Sequence, residues 1–392
     1  MVRKGVRLLK KAKDHRIRHK VLYKTLLPLV RMFVKLKFNY KYKKAKKLPD
    51  NYIVVSNHTT DYDPLFVASS FGRQMYFVAS EHITRWKKTY KFLNYTFAPI
   101  VRYKGTVGAS TVMEILRKVK RGDCVCIFAE GVRSWTGETG DILPSTAKMI
   151  KSAKCGLVTY KITGGYFVSP IWGRGKCRKG YVSGSPVKVY TPQELANMSE
   201  DEIYSIIKND LYENAHDTQN VLNKKYKGKN IAEGLENLIF KCPHCKSNDT
   251  LNSKDNTLTC ANCNKAFSLN EYGKLNGVSY KNIYELANWQ DGEIIKDIKN
   301  NSEYVSDGVL NIINRDHTKS QIACGDITLT PNNLKCGNIS FDINNVTDLA
   351  IYGKYGLVFS ANGEYYELLP NKNKSVYKFL VYYKHIKNMM KG

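Results

Sequence analysis

Two short clusters hold the residues whose types could do chemistry. In Asn57-His58-Thr-Thr-Asp61-Tyr-Asp63-Pro64 a histidine and an aspartate are separated by four residues. A carboxylate folded back onto the imidazole can hold one ring N–H and leave the other nitrogen as a general base. Asp63 is the expected partner of His58, with Asp61 as the alternative and helix capping as a second use for Asp63. Spacing alone is not specific, because His244 and Asp249 repeat it. The other cluster, Phe128-Ala-Glu130-Gly131-Val-Arg133-Ser134, sets a carboxylate, a permissive glycine and an arginine on one turn. Arginine offers a planar fork to a phosphate, and glycine lets the backbone come close. Between them, Arg102 and Lys104 add two cations.

A third cluster has metal-ligand spacing. Cys242-Pro-His-Cys245 and Cys260-Ala-Asn-Cys263 make two Cys-x2-Cys pairs fourteen residues apart. Each pair can close a tight knuckle, and four thiolates complete a tetrahedral Zn²⁺ site with no open position, hence a structural one. Iron in a rubredoxin-like arrangement is the rival reading. His244, inside a knuckle, is expected to face solvent or to support a ligand. The other six cysteines (Cys124, Cys126, Cys155, Cys177, Cys324 and Cys336) read as small core residues of a reducing compartment.

The elements around the first two clusters must position them. Tyr52–Val55, Met75–Val78, Cys124–Phe128 and Leu157–Ile162 are apolar runs of strand length. Val112–Val119 and Thr146–Ala153 carry helical periodicity. Alternating strands and helices predict an α/β sheet flanked by helices. His58 then follows a buried strand, with Asp63 at the N-cap and Pro64 at the first turn of the next helix. Carboxyl ends of such strands are where α/β proteins place ligands. The α/β domain is expected over residues 49–230, with Lys224–Lys229 as a linker. A zinc ribbon follows over 238–270, a helical connector over 271–317, and a small mainly-β domain with a C-terminal helix over 318–392.

The order of the motifs resembles the glycerolipid acyltransferase superfamily, whose best-known members are the 1-acylglycerol-3-phosphate acyltransferases. A strand ending in Asn-His-x4-Asp, then x-Pro-x-x-Arg, then Phe-x-Glu-Gly-x-Arg-Ser carries the resemblance, over roughly residues 50–190. It implies that His58 takes the proton of a glycerol hydroxyl and that Asp63 orients it. It further implies that Arg102, Lys104, Glu130 and Arg133 hold the acceptor's phosphate, with Gly131 shaping that loop. The acyl donor would be a thioester, acyl-CoA or acyl-ACP. The default acceptor is 1-acyl-sn-glycerol-3-phosphate, giving phosphatidic acid, with another lysolipid or glycerol 3-phosphate as alternatives. Ala129, Val132, Thr96 and Val158-Thr159-Tyr160 depart from the usual blocks and are expected to line the acceptor side. The residue types suit direct attack of an alcohol on a thioester, which needs a base, an aligned acceptor and oxyanion stabilisation but no covalent acyl-enzyme. On the same pattern grounds, the C-terminal strands and helix resemble a pleckstrin-homology-like domain.

Charge locates a partner. The 392 residues carry a formal net charge of +28. Residues 1–50 hold +16 of it, residues 51–240 hold +9, and residues 241–392 hold +3. Apolar residues recurring between Lys24, Arg31, Lys35 and Lys37 predict basic amphipathic helices over 1–48, broken near Pro28. Such helices suit an anionic membrane surface; packing on the domain's own core is the other reading. No run has the length of a signal peptide's apolar core or of a membrane span, so the expectation is a cytoplasmic protein peripheral on the inner face of the cell membrane. A zinc-ribbon protein that binds nucleic acid is the alternative class. The ribbon half, at +3, lacks the basic patch that class needs, so nucleic acid is disfavoured as a partner.

Overall fold

The computed structural model describes residues 15–85, 87–102, 109–314, 318–353, 355–371 and 375–390. Helix α1 (Arg16–Phe38) leads into a seven-stranded sheet. Its strands are β1 (Tyr40–Tyr42), β2 (Tyr52–Ser56), β3 (Met75–Ser80), β4 (Ile100–Arg102), β5 (Cys124–Phe128), β6 (Gly156–Thr163) and β7 (Val182–Tyr190). The spatial order is β1-β7-β6-β2-β5-β3-β4. Strands β6, β2, β5, β3 and β4 are mutually parallel, and β7 runs antiparallel to β6 with β1 beside it. The parallel strands of the centre are buried on both faces, as their unbroken apolar runs predict.

Helices α2 (Asp63–Ser70), α3 (Lys87–Thr96), α4 (Ala109–Lys120) and α5 (Ser145–Ala153) connect the strands in turn. After β6 come the short α6 (Gly165–Val168), then α7 (Pro192–Ala196), α8 (Glu200–Leu211) and α9 (Ala215–Leu222). Both α7 and α8 open with a complete capping box, Thr191 with Glu194 and Ser199 with Glu202. One apolar core, around Phe66, Cys126 and Tyr160, lies on one face of the sheet; the other, around Val55, Ile115 and Ile203, lies on the opposite face.

Several expectations are corrected. Helix α1 runs unbroken through Pro28. Pro28 is exposed, so water can satisfy the carbonyl left without a donor. Contacts on both sides of it hold the two halves in line: the Tyr23 hydroxyl donates to Ala68 O, and Arg31 Nε donates to Ser69 O. The N-terminal segment is also not separate from the sheet, because Tyr40–Tyr42 supplies an edge strand. Residues 1–14 lie outside the described residues. Lys224–Lys229 is no linker: Tyr226 is buried, and Lys227 and Lys179 exchange backbone hydrogen bonds.

The C-terminal half has two sheets. Strands β8 (Leu251–Lys254), β9 (Thr257–Cys260), β10 (Ala266–Leu269) and β11 (Leu275–Asn276) form an antiparallel sheet around the cysteine pairs. Helix α10 (Ile283–Lys299) follows. The last sheet contains β12 (Tyr304–Ile313), β13 (Lys319–Leu329), β14 (Asn333–Cys336), β15 (Ile339–Asp342), β16 (Thr347–Tyr352), β17 (Gly356–Ala361) and β18 (Glu364–Pro370). A four-strand meander (β12–β15) and a three-strand meander (β16–β18) join through β12 and β18, and α11 (Tyr377–Met389) packs against β16. The expected connector over 271–317 therefore contains the first strand of this sheet. Nor is the ribbon an isolated module. One buried cluster runs from Trp135, Ile171 and Trp172 through the ribbon's Cys242, Leu258 and Phe267 to Phe379 and Tyr382. Among the scattered cysteines, Cys324 is exposed on β13, contrary to the core reading.

Candidate active site

Strand register builds the site. Strands β2 and β5 pair in parallel with Ser56 opposite Phe128, so the chain leaves the sheet at the same level in both. His58 and Glu130 each lie two residues beyond that level, and their clusters meet. Asn57 fixes the end of β2 by pairing its amide with both backbone groups of Ile162 on β6, at 2.9 and 2.8 Å.

His58 and Asp63 form the expected pair. His58 Nδ1 lies 2.8 Å from Asp63 Oδ2, and a carboxylate only accepts, so the proton sits on Nδ1 and Nε2 is the acceptor nitrogen. The Asp63 side chain is fully buried, while that of His58 stays 21% exposed. Four further donors neutralise the cost of burying the carboxylate: the amides of Thr59 and Thr60 at 2.5 and 2.9 Å, and both their hydroxyls at 3.1 Å. The N-cap of α2 is Tyr62, one residue earlier than expected, because the Asp63 carboxylate turns back toward the loop. The Phe128 ring stacks on the imidazole with centroids 4.4 Å apart and planes at 20°. Asp61 does not reach His58's role; it is exposed and pairs with Arg133 at 3.1 Å. The repeat of the spacing at His244 and Asp249 forms no such pair: the Asp249 carboxylate binds Lys378.

Two of the expected phosphate holders have partners within the protein. Glu130 Oε1 accepts the His58 amide and Oε2 the Gly140 amide, each at 2.6 Å, so its carboxyl braces backbone. Burial raises its pKa to about 8 against the pull of those two amides, with Asp63 adding to the rise. Arg133 has a largely buried side chain and spends it on Asp61. Arg102, at the end of β4, does face the turn: a Cβ on Gly131 would lie 3.0 Å from its Nη1. Gly131 itself has φ +69°, the left-handed region that glycine alone enters freely. Lys104 lies outside the described residues.

Of the residues expected to line the acceptor side, Val132 is exposed on the turn after β5, whereas Thr96, Ala129, Val158, Thr159 and Tyr160 are buried. Thr159 and Tyr160 are buried in the sheet, where Thr159 donates to Asp210 and Tyr160 meets Ser70 and Tyr40. Thr96 is buried and bonds back to Phe92 O. Within the basic run over 174–179, Arg174 pairs with Glu236, and Arg178 is buried with a hydrogen bond to Ile231 O, so this run ties down the chain that leads into the ribbon. Sequence reasoning passed over Phe128, Thr59 and Thr60 as site residues. The Thr-Thr step between His58 and Asp63 was the available signal.

The sulfurs of Cys242, Cys245, Cys260 and Cys263 all lie within 4.8 Å of one another. Cys242 to Cys263 is 3.8 Å and Cys245 to Cys260 is 3.7 Å. A tetrahedral zinc with Zn–S bonds near 2.3 Å sets its sulfurs about 3.8 Å apart, so the cradle fits that ion. Donors of the kind that support thiolates surround it: the His244 amide on Cys242 and the Asn262 amide on Cys245. The His244 ring is exposed.

Residues 39–169 match the family model Acyltransferase, a span holding His58, Asp63, Arg102, Lys104, Glu130, Gly131 and Arg133. Among solved structures, the 1-acyl-sn-glycerophosphate (LPA) acyltransferase PlsC from Thermotoga maritima aligns at 18% identity with a TM-score of 0.41, covering 54% of this chain and 84% of that one. No curated protein sequence matches the chain.

Proposed function

We propose that the chain transfers an acyl group from a thioester, acyl-CoA or acyl-ACP, to a hydroxyl of a phosphorylated glycerol lipid. The acceptor we propose is 1-acyl-sn-glycerol-3-phosphate, with phosphatidic acid as product. The observation that carries the reading is the His58–Asp63 pair, with Nδ1 tied to a buried carboxylate and the ring partly exposed at a strand end. His58 Nε2 takes the hydroxyl proton as the oxygen attacks the thioester carbon. Asp63 stabilises the imidazolium that results. The C–S bond then breaks and the imidazolium returns its proton to the departing thiolate. Arg102, beside Gly131, is the cation we assign to the acceptor's phosphate, with Lys104 as a second. Glu130 and Arg133 shape the turn.

The reading extends to a membrane surface. Helix α1 buries His19, Tyr23, Leu27, Val34 and Phe38 on the domain and, on its opposite side, exposes Ile17, Val21, Leu29, Met32, Phe33 and Leu36. Phe92 and Tyr95 of α3 are exposed too, and Arg18 lies over the Tyr95 ring at 4.0 Å. An exposed apolar face rimmed by Lys and Arg suits the interface of an anionic bilayer. No helix among the described residues is long and apolar enough to cross a membrane. We assign Zn²⁺ to the four cysteines as a structural ion that locks the two knuckles together. The two meanders and closing helix support the pleckstrin-homology-like reading of the C-terminal domain.

The test is a donor–acceptor matrix with products identified by mass spectrometry, run on the wild type and His58→Ala. Acyl transfer to a phosphorylated glycerol acceptor that vanishes in His58→Ala is expected. Undiminished turnover in that variant would sink the mechanism.

A further inference from the structure

The turn that follows β5 holds His58 from both sides of its backbone. Glu130 accepts the His58 amide, and the Ser134 amide donates to His58 O at 2.9 Å. Beyond Phe128 the turn has no helix or strand of its own up to residue 140. Inside it, Ser134 Oγ accepts the Gly137 amide and donates to Glu138 O, and Glu130 accepts the Gly140 amide; beyond these bonds its placement depends on what packs against it. On one side, the backbones of Thr139 and Glu213 are bonded together, and the Ala215 amide donates to Gly137 O. On the other side stands the C-terminal half of the chain. Trp135, one residue after Ser134, stacks on Tyr377 of α11 with centroids 4.5 Å apart and planes at 23°. Glu138 Oε1 accepts the Tyr284 hydroxyl of α10 at 3.2 Å. The contact continues to the cysteine cradle, because Lys378, next to Tyr377, pairs with Asp249 of the ribbon.

We infer that Tyr377 is a positioning residue for the active-site turn: its ring holds Trp135, and through Ser134 it sets the backbone of His58. The inference rests on the acyl-transfer reading only for its kinetic part. Trp135 could instead be plain core filling, in which case its loss would lower stability without moving the turn. A stacked aromatic pair contributes modestly, so removing it shifts the local equilibrium by about two- to tenfold. The catalytic consequence is larger, because a displaced base costs roughly 10- to 100-fold in rate.

The test compares full-length Tyr377→Leu and Tyr377→Phe with the wild type, by amide hydrogen exchange read by mass spectrometry and by steady-state kinetics. In Tyr377→Leu, exchange over residues 130–140 should rise about two- to tenfold while peptides over 242–263 keep wild-type protection. The same variant should lose kcat roughly 10- to 100-fold with KM for donor and acceptor unchanged. Tyr377→Phe, which keeps the ring, should restore both. Wild-type exchange over 130–140 in Tyr377→Leu overturns the inference. If Tyr377→Leu does not fold, Trp135→Leu breaks the same stack from the other side, and unchanged exchange at 136–140 overturns the inference there. A loosened turn in Tyr377→Leu together with a wild type that transfers no acyl group refutes the functional reading and leaves the brace standing.

Discussion

The Glu130 carboxylate accepts the His58 amide at 2.6 Å, although the two residues are 72 positions apart. A side chain expected to hold substrate thus holds the backbone of the candidate base. The bond exists because Ser56 and Phe128 are register partners. Glu130→Ala should therefore lower kcat by roughly 10- to 100-fold with the acceptor's KM near wild type. Steady-state kinetics over both substrates checks this; a raised acceptor KM with intact kcat would return Glu130 to phosphate binding.

Gly131→Ala is expected to act twice. Placing a Cβ at φ +69° costs about 1–2 kcal/mol. The same Cβ would press on Arg102 Nη1 at 3.0 Å and move the guanidinium. A lower melting temperature together with a raised acceptor KM is the expected result, measured by thermal unfolding and kinetics. A lower melting temperature with the KM untouched would remove Arg102 from the acceptor site.

Glu213 gives a pH dependence with a definite sign. Burial raises its pKa from 4.5 to about 7, and its Oε1 is buried without a hydrogen-bond partner. The folded state then holds the proton more tightly than the unfolded state between those values. The stability this contributes is fully present below pH 4.5 and is lost as pH rises through about 7. Glu213→Gln should be close to wild type at pH 4.5 and more stable than wild type at pH 8. Urea unfolding at both pH values measures the difference; equal stability at pH 8 would contradict it.

On the zinc assignment proposed above, Cys263→Ser should lower metal binding and destabilise far more than the knuckle. The four sulfurs border a buried cluster that runs from Trp135 to Ile386. Structural zinc contributes on the order of 10 kcal/mol to small folds of this kind. The expected result is loss of metal by elemental analysis and a separate early unfolding transition of the C-terminal half. A wild-type unfolding profile in the metal-free variant would show that the core stands without the ion.

Legibility followed sequence distance. The His58–Asp63 contact was readable because its partners lie five residues apart at a strand end, and the cysteine pairs were readable because each knuckle is local. The strands β2, β5 and β6 were readable because burial on both faces makes them continuous apolar runs. Strand β7 was missed: Gly184 and Pro186 interrupt it, and its pairing with β6 shifts register. Glu130's task could not be read, since it depends on which strand lies beside β2. The basic helix was only half read. Its two apolar faces merge into one hydrophobic pattern in sequence, and only the tertiary contacts of α1 with α2, α3, β1 and β3 separate them.

That separation has a geometric consequence. The inner face of α1 is seated on α2, through Tyr23 to Ala68 and Phe38 to Phe66, and the first residue of α2 is Asp63. Any sheet of lipid that receives the outer face of α1 therefore meets a fixed datum. The height of the His58–Asp63 pair above that plane is set by the packing of two helices, and so is how far an acyl chain's head must rise to be reached.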